Sequence, residues 1–156
     1  MAVHPVSWNE PTILEQRFAP GVPPEEAAGV AADLVHEDYA YTFEAYWDLW
    51  SLPEGDSKWV LAPARVSILA QGAEFDEGTA AETGHIEIDL GLDTAFLHEE
   101  LSLTAKAEEH IRSNVQKLVE FTQKVEKNAG VTGRLLWSES EETLAQKLVA
   151  RLQKTN

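Results

Sequence analysis

Residues 39–50, with the sequence YAYTFEAYWDLW, carry the pattern that decides the fold. Aromatic side chains recur at every second position, which is typical of a pleated strand with one buried side. One set of alternate positions includes Phe43, Ala45, Trp47 and Leu49, and the other includes Glu44, Tyr46, Asp48 and Trp50. The apolar set is expected to face the core. Tyr46 and Trp50 belong to the polar set, so burial in the core does not explain them.

Two more stretches show the same period of two. Residues 58–71 place Val66, Ile68 and Ala70 on one side and Arg65, Ser67, Leu69 and Gln71 on the other. Residues 85–92 place Ile86, Ile88 and Leu90 on one side and His85, Glu87 and Asp89 on the other. Turn-forming residues at 53–56 separate the first two strands. A further strand is expected in VTGRLLWSES, residues 131–140.

Apolar residues at helical spacing occur in residues 24–36, in residues 104–128, and in a last stretch with Leu144, Leu148, Val149 and Leu152. The order of elements predicts an α+β fold, with residues 24–156 as a single domain. We expect a mostly antiparallel sheet of about four strands, two C-terminal amphipathic helices packed on one face, and a short N-terminal helix. Residues 1–23 are expected to be an irregular arm with one short strand near 13–18, and residues 74–84 a small acidic loop.

The charge of the chain is strongly negative and unevenly placed. The formal net charge is −15, and residues 1–105 hold three bases and twenty acids, a charge of −17. Such a field repels nucleic acid and anionic lipid, and it favours a basic protein partner. The chain has no cysteine, which excludes disulfides and thiolate metal sites. With no basic, apolar leader and no apolar run of ~20 residues, the sequence predicts a soluble cytoplasmic protein.

Motifs for catalysis are missing from the sequence. It contains no G-x-S-x-G motif and no Walker A motif, and adjacent acids at helix starts are explained by the helix dipole. We therefore expect no catalytic residue, no cofactor and no metal, and a protein that is not an enzyme. One alternative stays open, because His85, Glu87 and Asp89 on one strand face have residue types that bind transition metals. That alternative is a metal-dependent enzyme.

The polar side of the predicted sheet is the candidate binding surface. Aromatic residues among polar groups are typical of interface hot spots. The expected binding residues are Tyr46, Trp50, Arg65, Leu69, His85, Glu87 and Asp89. The first expected partner is a second copy of the chain, which would form a homodimer through the sheet. The other expected partner is a basic or extended protein segment.

Size, acidity and the order helix, three strands, long helix, strand and helix resemble the small acidic chaperones of type III secretion systems, over residues 24–154. That resemblance implies a dimer that holds an extended segment of an effector. The sequence thus favours a non-catalytic, chaperone-like binding module. A second alternative is a small-molecule-binding domain whose cavity, between sheet and helices, is lined by Trp8, Trp47, Trp59 and Trp137.

Overall fold

A computed structural model of the protein describes residues 1–55, 57–91, 93–96 and 104–135. The elements in chain order are β1 (Ala2–Pro5), β2 (Leu14–Glu15), α1 (Pro24–Ala32), β3 (Tyr39–Ser51), β4 (Val60–Gln71), α2 (Ala80–Thr83), β5 (Ile86–Asp89) and α3 (Ala105–Ala129). The strands form one antiparallel sheet in the order β2-β1-β3-β4-β5. The α+β class with a single antiparallel sheet is therefore confirmed, and among the described residues the sheet has five strands, where the sequence predicted about four.

The described residues fall into two compact units. The first comprises residues 1–47 and 64–91, and the second comprises residues 48–63 and the described residues after 91. The division crosses β3 and β4, so each of these strands contributes residues to both units.

The N-terminal residues take part in the sheet of the first unit. Val3 of β1 pairs with Leu14 of β2 on one side and with Tyr41 of β3 on the other. The structure thus places two strands within residues 1–23, where the sequence predicted one short strand in an irregular arm. A strand as short as Ala2–Pro5 shows no readable alternation, because only two side chains fall on each face. The division of the chain at residue 24 stays a prediction.

The core of the first unit lies between the sheet and α1. Val3, Ala31 and Tyr41 are buried together, and Leu34 and Phe43 pack against them. The Tyr41 hydroxyl donates to the Leu34 carbonyl and accepts from the His36 amide, both at 2.9 Å. These bonds satisfy backbone groups just beyond α1, which ends at Ala32 rather than at the predicted residue 36.

The apolar set of β3 faces the core as predicted, with one exception. Tyr41 is buried in the first unit and Leu49 is buried in the second, whereas Ala45 is exposed. An alanine buries little apolar area, so its exposure has little energetic consequence.

The long helix of the second unit has the predicted limits. The Thr104 hydroxyl accepts from the Ala107 amide at 3.3 Å and caps the start of α3, and Gly130 ends the helix in a left-handed conformation. Its buried stripe holds Ala107, Ile111, Asn114, Val115 and Leu118. Residues 131–135 form no strand, and the rest of the predicted strand and the last predicted helix lie outside the described residues.

Candidate functional site

The strand pairing defines the face of the sheet on which the predicted site residues lie. Ser67 pairs with Asp89 and Leu69 with Glu87. Side chains that lie opposite each other in an antiparallel pair share a face. Leu69, Glu87 and Asp89 are therefore brought to one face, as the alternation predicted. We call this the outer face of the first unit.

Three residues of β3 and β4 extend the outer face. The Arg65 guanidinium lies 3.2 Å from one carboxylate oxygen of Glu44, and the Tyr46 hydroxyl donates to the other at 2.8 Å. The Tyr46 side chain is 62% exposed. Its hydrogen bond to Glu44 raises the pKa of Tyr46, because ionisation of the phenol would lose that bond. The exposed Glu44–Arg65 pair fixes orientation more than it contributes stability.

The outer face is open only in part. Its open half consists of Glu44, Tyr46, Arg65, Leu69, His85, Glu87 and Asp89. Leu69 is half-buried and the other six are exposed. The open half thus contains every predicted binding residue except Trp50.

The other half, which we call the covered half, holds His4, Ala40 and Gln71. His4 lies opposite Ala40 on β3, and its ring contacts Trp8 with the ring centroids 4.9 Å apart. Trp8 in turn meets Phe75 edge-on at 4.9 Å, and Phe75 is fully buried.

Gln71 is held by the segment that follows Phe75. Its side-chain amide donates to the Thr83 hydroxyl at 3.1 Å and to the Gly84 carbonyl at 2.9 Å. Residues 74–84 therefore form more than the acidic loop that the sequence predicted, because they include a 3₁₀ turn at Phe75–Gly78 and α2. They close this half of the outer face.

Close backbone contacts hold residues 74–84, the covering segment, in place. The Asp76 amide donates to the Val6 carbonyl at 2.7 Å, and the Val6 amide donates to the Asp38 carbonyl at 2.7 Å. Val6 has a φ of 59°, which is a strained conformation for a β-branched residue. At Gly72 a β-carbon would collide with the Glu37 carbonyl oxygen, so this close approach of two chain segments requires glycine.

Trp50 has other neighbours. It belongs to the second unit, where its ring lies 4.0 Å from the ring of His110 on α3, tilted by 30°. Trp59 lies on His110 as well, with the centroids 5.6 Å apart. These contacts with α3 were not predicted, and the role of Trp50 as a binding residue stays a prediction. The helix that meets Trp50 comes some 60 positions later in the chain, so the local alternation holds no sign of it.

Asn114 is a structural residue that the sequence reasoning missed. It is fully buried, and its amide oxygen accepts from the Trp50 amide at 2.9 Å. Its amide nitrogen donates to the carbonyls of Trp50 at 2.8 Å and Ala95 at 2.7 Å. The side chain thus pairs with β3 as a neighbouring strand would. The sequence did contain a sign of this buried residue, because Asn114 is a polar residue within the apolar stripe of α3, three positions after Ile111.

The residues suggested as metal ligands, His85, Glu87 and Asp89, are not grouped as a candidate metal site among the described residues. The His85 ring donates from Nδ1 to the Gln71 carbonyl oxygen at 3.1 Å. Within the described part of the chain, no three side chains of histidine, cysteine, aspartate or glutamate are grouped closely enough to hold one ion. The open half offers charge, an aromatic ring and hydrogen-bonding groups.

Comparisons with protein families, with characterised proteins and with solved structures find no match to this chain. Among the described residues no helix is both long enough and apolar enough to cross a membrane. The resemblance to type III secretion chaperones stays a prediction, and two strands precede the first helix of this fold.

Proposed function

We propose that the protein is a non-catalytic protein-binding module whose open half binds a basic, extended segment of a partner. The observation that supports this most is an exposed tyrosine held in place on a sheet face that also presents acidic side chains. Tyr46 is anchored by Glu44, and Glu87 and Asp89 are exposed on the same face.

Tyr46 is suited to be the anchor of such a contact. Tyrosine offers a large apolar ring and a polar hydroxyl, and few of its torsions are lost on binding. The bond to Glu44 already restricts the ring. A partner would therefore bind a side chain that is ordered beforehand, which reduces the entropy lost on association.

The charges favour a partner whose basic residues are regularly spaced. Arg65 is engaged by Glu44, so Glu87 and Asp89 dominate the open half near β5. These two are alternate residues of one strand, ~6.6–6.8 Å apart. An extended peptide has the same repeat, so bases at every second position match the two carboxylates.

A homodimer through the open half is less well supported by these charges. A two-fold contact places the same patch on both copies. The acids of one copy would then meet the acids of the other, and such a juxtaposition costs energy.

The small-molecule alternative relied on four tryptophans, of which Trp8 contacts His4 and Phe75, Trp59 contacts His110, and Trp137 lies outside the described residues.

The proposal is tested with a capped, fluorescent peptide of alternating valine and lysine, whose binding is measured by anisotropy at low and physiological salt. We expect binding that weakens with salt, and at least about a fivefold loss in the double variant Glu87→Gln, Asp89→Asn. The matched control is Glu25→Gln, Glu26→Gln, which removes two exposed acids from α1.

Equal losses in the two double variants would contradict the proposal, because net charge alone would then govern affinity. Binding of a valine–glutamate peptide with similar affinity would contradict it as well. Analytical ultracentrifugation tests the homodimer in the same samples. Dimers of the free protein that dissociate in Tyr46→Ala would assign the open half to self-association.

A further inference from the structure

β5 forms one edge of the sheet that the described residues make. The opposite edge is β2, which is only two residues long. β5 has four residues, Ile86–Asp89, and Ile86 is 43% exposed. An edge strand carries backbone groups that can pair with a further strand.

The hydrogen-bond phase of β5 shows which of its residues present those groups. The Gln71 amide donates to the His85 carbonyl at 2.9 Å, so this opposite pair is a hydrogen-bonded one. Hydrogen-bonded and non-bonded pairs alternate along an antiparallel ladder. Residues 85, 87 and 89 therefore bond to β4, whereas Ile86 and Ile88 direct their amide and carbonyl groups away from β4.

The end of β5 limits the length of this edge. The Asp89 carboxylate accepts from the Gly91 amide at 2.8 Å, and Gly91 adopts a φ of 75°. β5 ends at Asp89. The edge therefore offers a partner the amide and carbonyl groups of two residues.

We propose that the basic segment binds by adding an antiparallel strand to β5; this inference rests on the proposed function and specifies its geometry. In such an added strand, the side chains opposite Ile86 and Ile88 lie on their face of the sheet and are apolar. The alternate side chains lie on the outer face and are basic, beside Glu87 and Asp89. A strand that alternates apolar and basic residues thus pairs with the backbone groups of β5 and also matches the side chains on both faces of the sheet.

A second copy of β5 fits this edge less well than a basic strand. A two-fold pairing centred on Glu87 places it opposite its own copy, and one centred on Ile88 places Glu87 opposite Asp89. Like charges directly opposite each other destabilise a sheet. The register centred on Ile86 avoids this, but it moves the pairing toward Gly84, where the strand has not yet begun.

The test uses two N-methylated forms of the valine–lysine peptide with the full chain. In the antiparallel arrangement the valine amides donate to the carbonyls of Ile86 and Ile88, and the lysine amides point away from β5. Methylation of the valine nitrogens is expected to abolish measurable binding, and methylation of the lysine nitrogens to change affinity less than about threefold. A loss confined to the lysine form, or equal effects in both forms, would overturn the antiparallel strand.

A protein variant tests the same edge from the other side. Ile88→Pro removes one outward amide, and proline is tolerated in an edge strand where its nitrogen faces away from the ladder. Unmodified peptide is expected to bind this variant at least about fivefold more weakly. Its melting temperature is measured first, and if it does not fold, the peptide series decides alone.

The two proposals fail in different ways. If the unmodified peptide does not bind, the proposed function is wrong. If it binds and the Glu87→Gln, Asp89→Asn variant weakens it, but methylation has no effect in either form, the function stands. The strand addition is then wrong, and the segment lies across the open half without pairing to β5.

Discussion

The covered and open halves of the outer face share the strands β3 and β4, but only the covered half is closed by another segment of the chain. In the covered half Gln71 is buried, and His4 lies under Trp8. In the open half Tyr46 is exposed and donates a hydrogen bond to its neighbour Glu44. The alternation along the strands is the same in both. What differs is whether a segment from elsewhere in the chain folds over the face.

The comparison shows that a period of two determines the side of a strand on which a residue lies, but not whether that side is covered. The cover consists of Trp8, before the first helix, and Phe75, after β4. Neither lies in a periodic stretch. The exposed part of a sheet face thus depends on how far the covering segments extend over it, as well as on the strands themselves.

Phe75→Ala is expected to have the largest effect on the covered half. Removing a fully buried phenylalanine costs about 3–5 kcal/mol of the free energy of unfolding, because apolar area and packing are lost together. Urea denaturation of the variant measures this loss. A loss under about 1 kcal/mol would mean that the segment does not cover the face.

Gly72→Ala is expected to destabilise the protein by about 1–3 kcal/mol, because its β-carbon would collide with the Glu37 carbonyl. The matched control is Gly29→Ala in α1, where a β-carbon meets nothing within 4 Å. Alanine there should stabilise the helix by about 0.5–1 kcal/mol. Thermal melts of the two variants should shift in opposite directions, and shifts of the same sign would refute the close approach at Gly72.

His4 gives the stability of the covered half a pH dependence. Burial lowers the pKa of His4 below 6.5, and the charge of Glu15 opposes this to a lesser degree. The unfolded chain then binds the proton more readily than the folded one. The contribution to stability is complete above pH 6.5 and is lost as the pH falls from there through the folded pKa.

The measurement is the free energy of unfolding of the wild type and of His4→Gln across that range. The difference between the two proteins isolates the histidine from other acid-sensitive groups. Wild-type stability should fall more steeply than that of the variant below pH 6.5. Parallel curves would show that His4 is not desolvated in the folded protein.

Tyr46→Ala should have the smallest effect on stability and a clear effect on binding. The side chain is exposed, so the free energy of unfolding should change by less than about 0.5 kcal/mol. Affinity for the valine–lysine peptide should fall at least about fivefold, as expected for an aromatic anchor. A stability loss like that of Phe75→Ala would place Tyr46 in the core and end the distinction between the halves.

Much of the fold was predictable because long elements repeat a local pattern many times. The limits of β3 and α3 agree with the alternation and the helical stripe within one or two residues. β1 was not predicted, because four residues are too few to show a period. The open half was predictable to the extent that Leu69, Glu87 and Asp89 share a face. The contact of Trp50 with His110 was not predicted, because His110 comes from a distant helix.

The sequence by itself determined the class of fold, the side of β3, β4 and β5 on which a residue lies and the negative charge of the surface. These follow from the 2.0 and 3.6 periods of backbone geometry and from a count of ionisable groups. Only the tertiary structure decided that Phe75 and Trp8 close half of the outer face, that Asn114 pairs with Trp50, and that β5 ends the sheet of the described residues. Each of these depends on contacts between distant positions, which a local pattern does not encode.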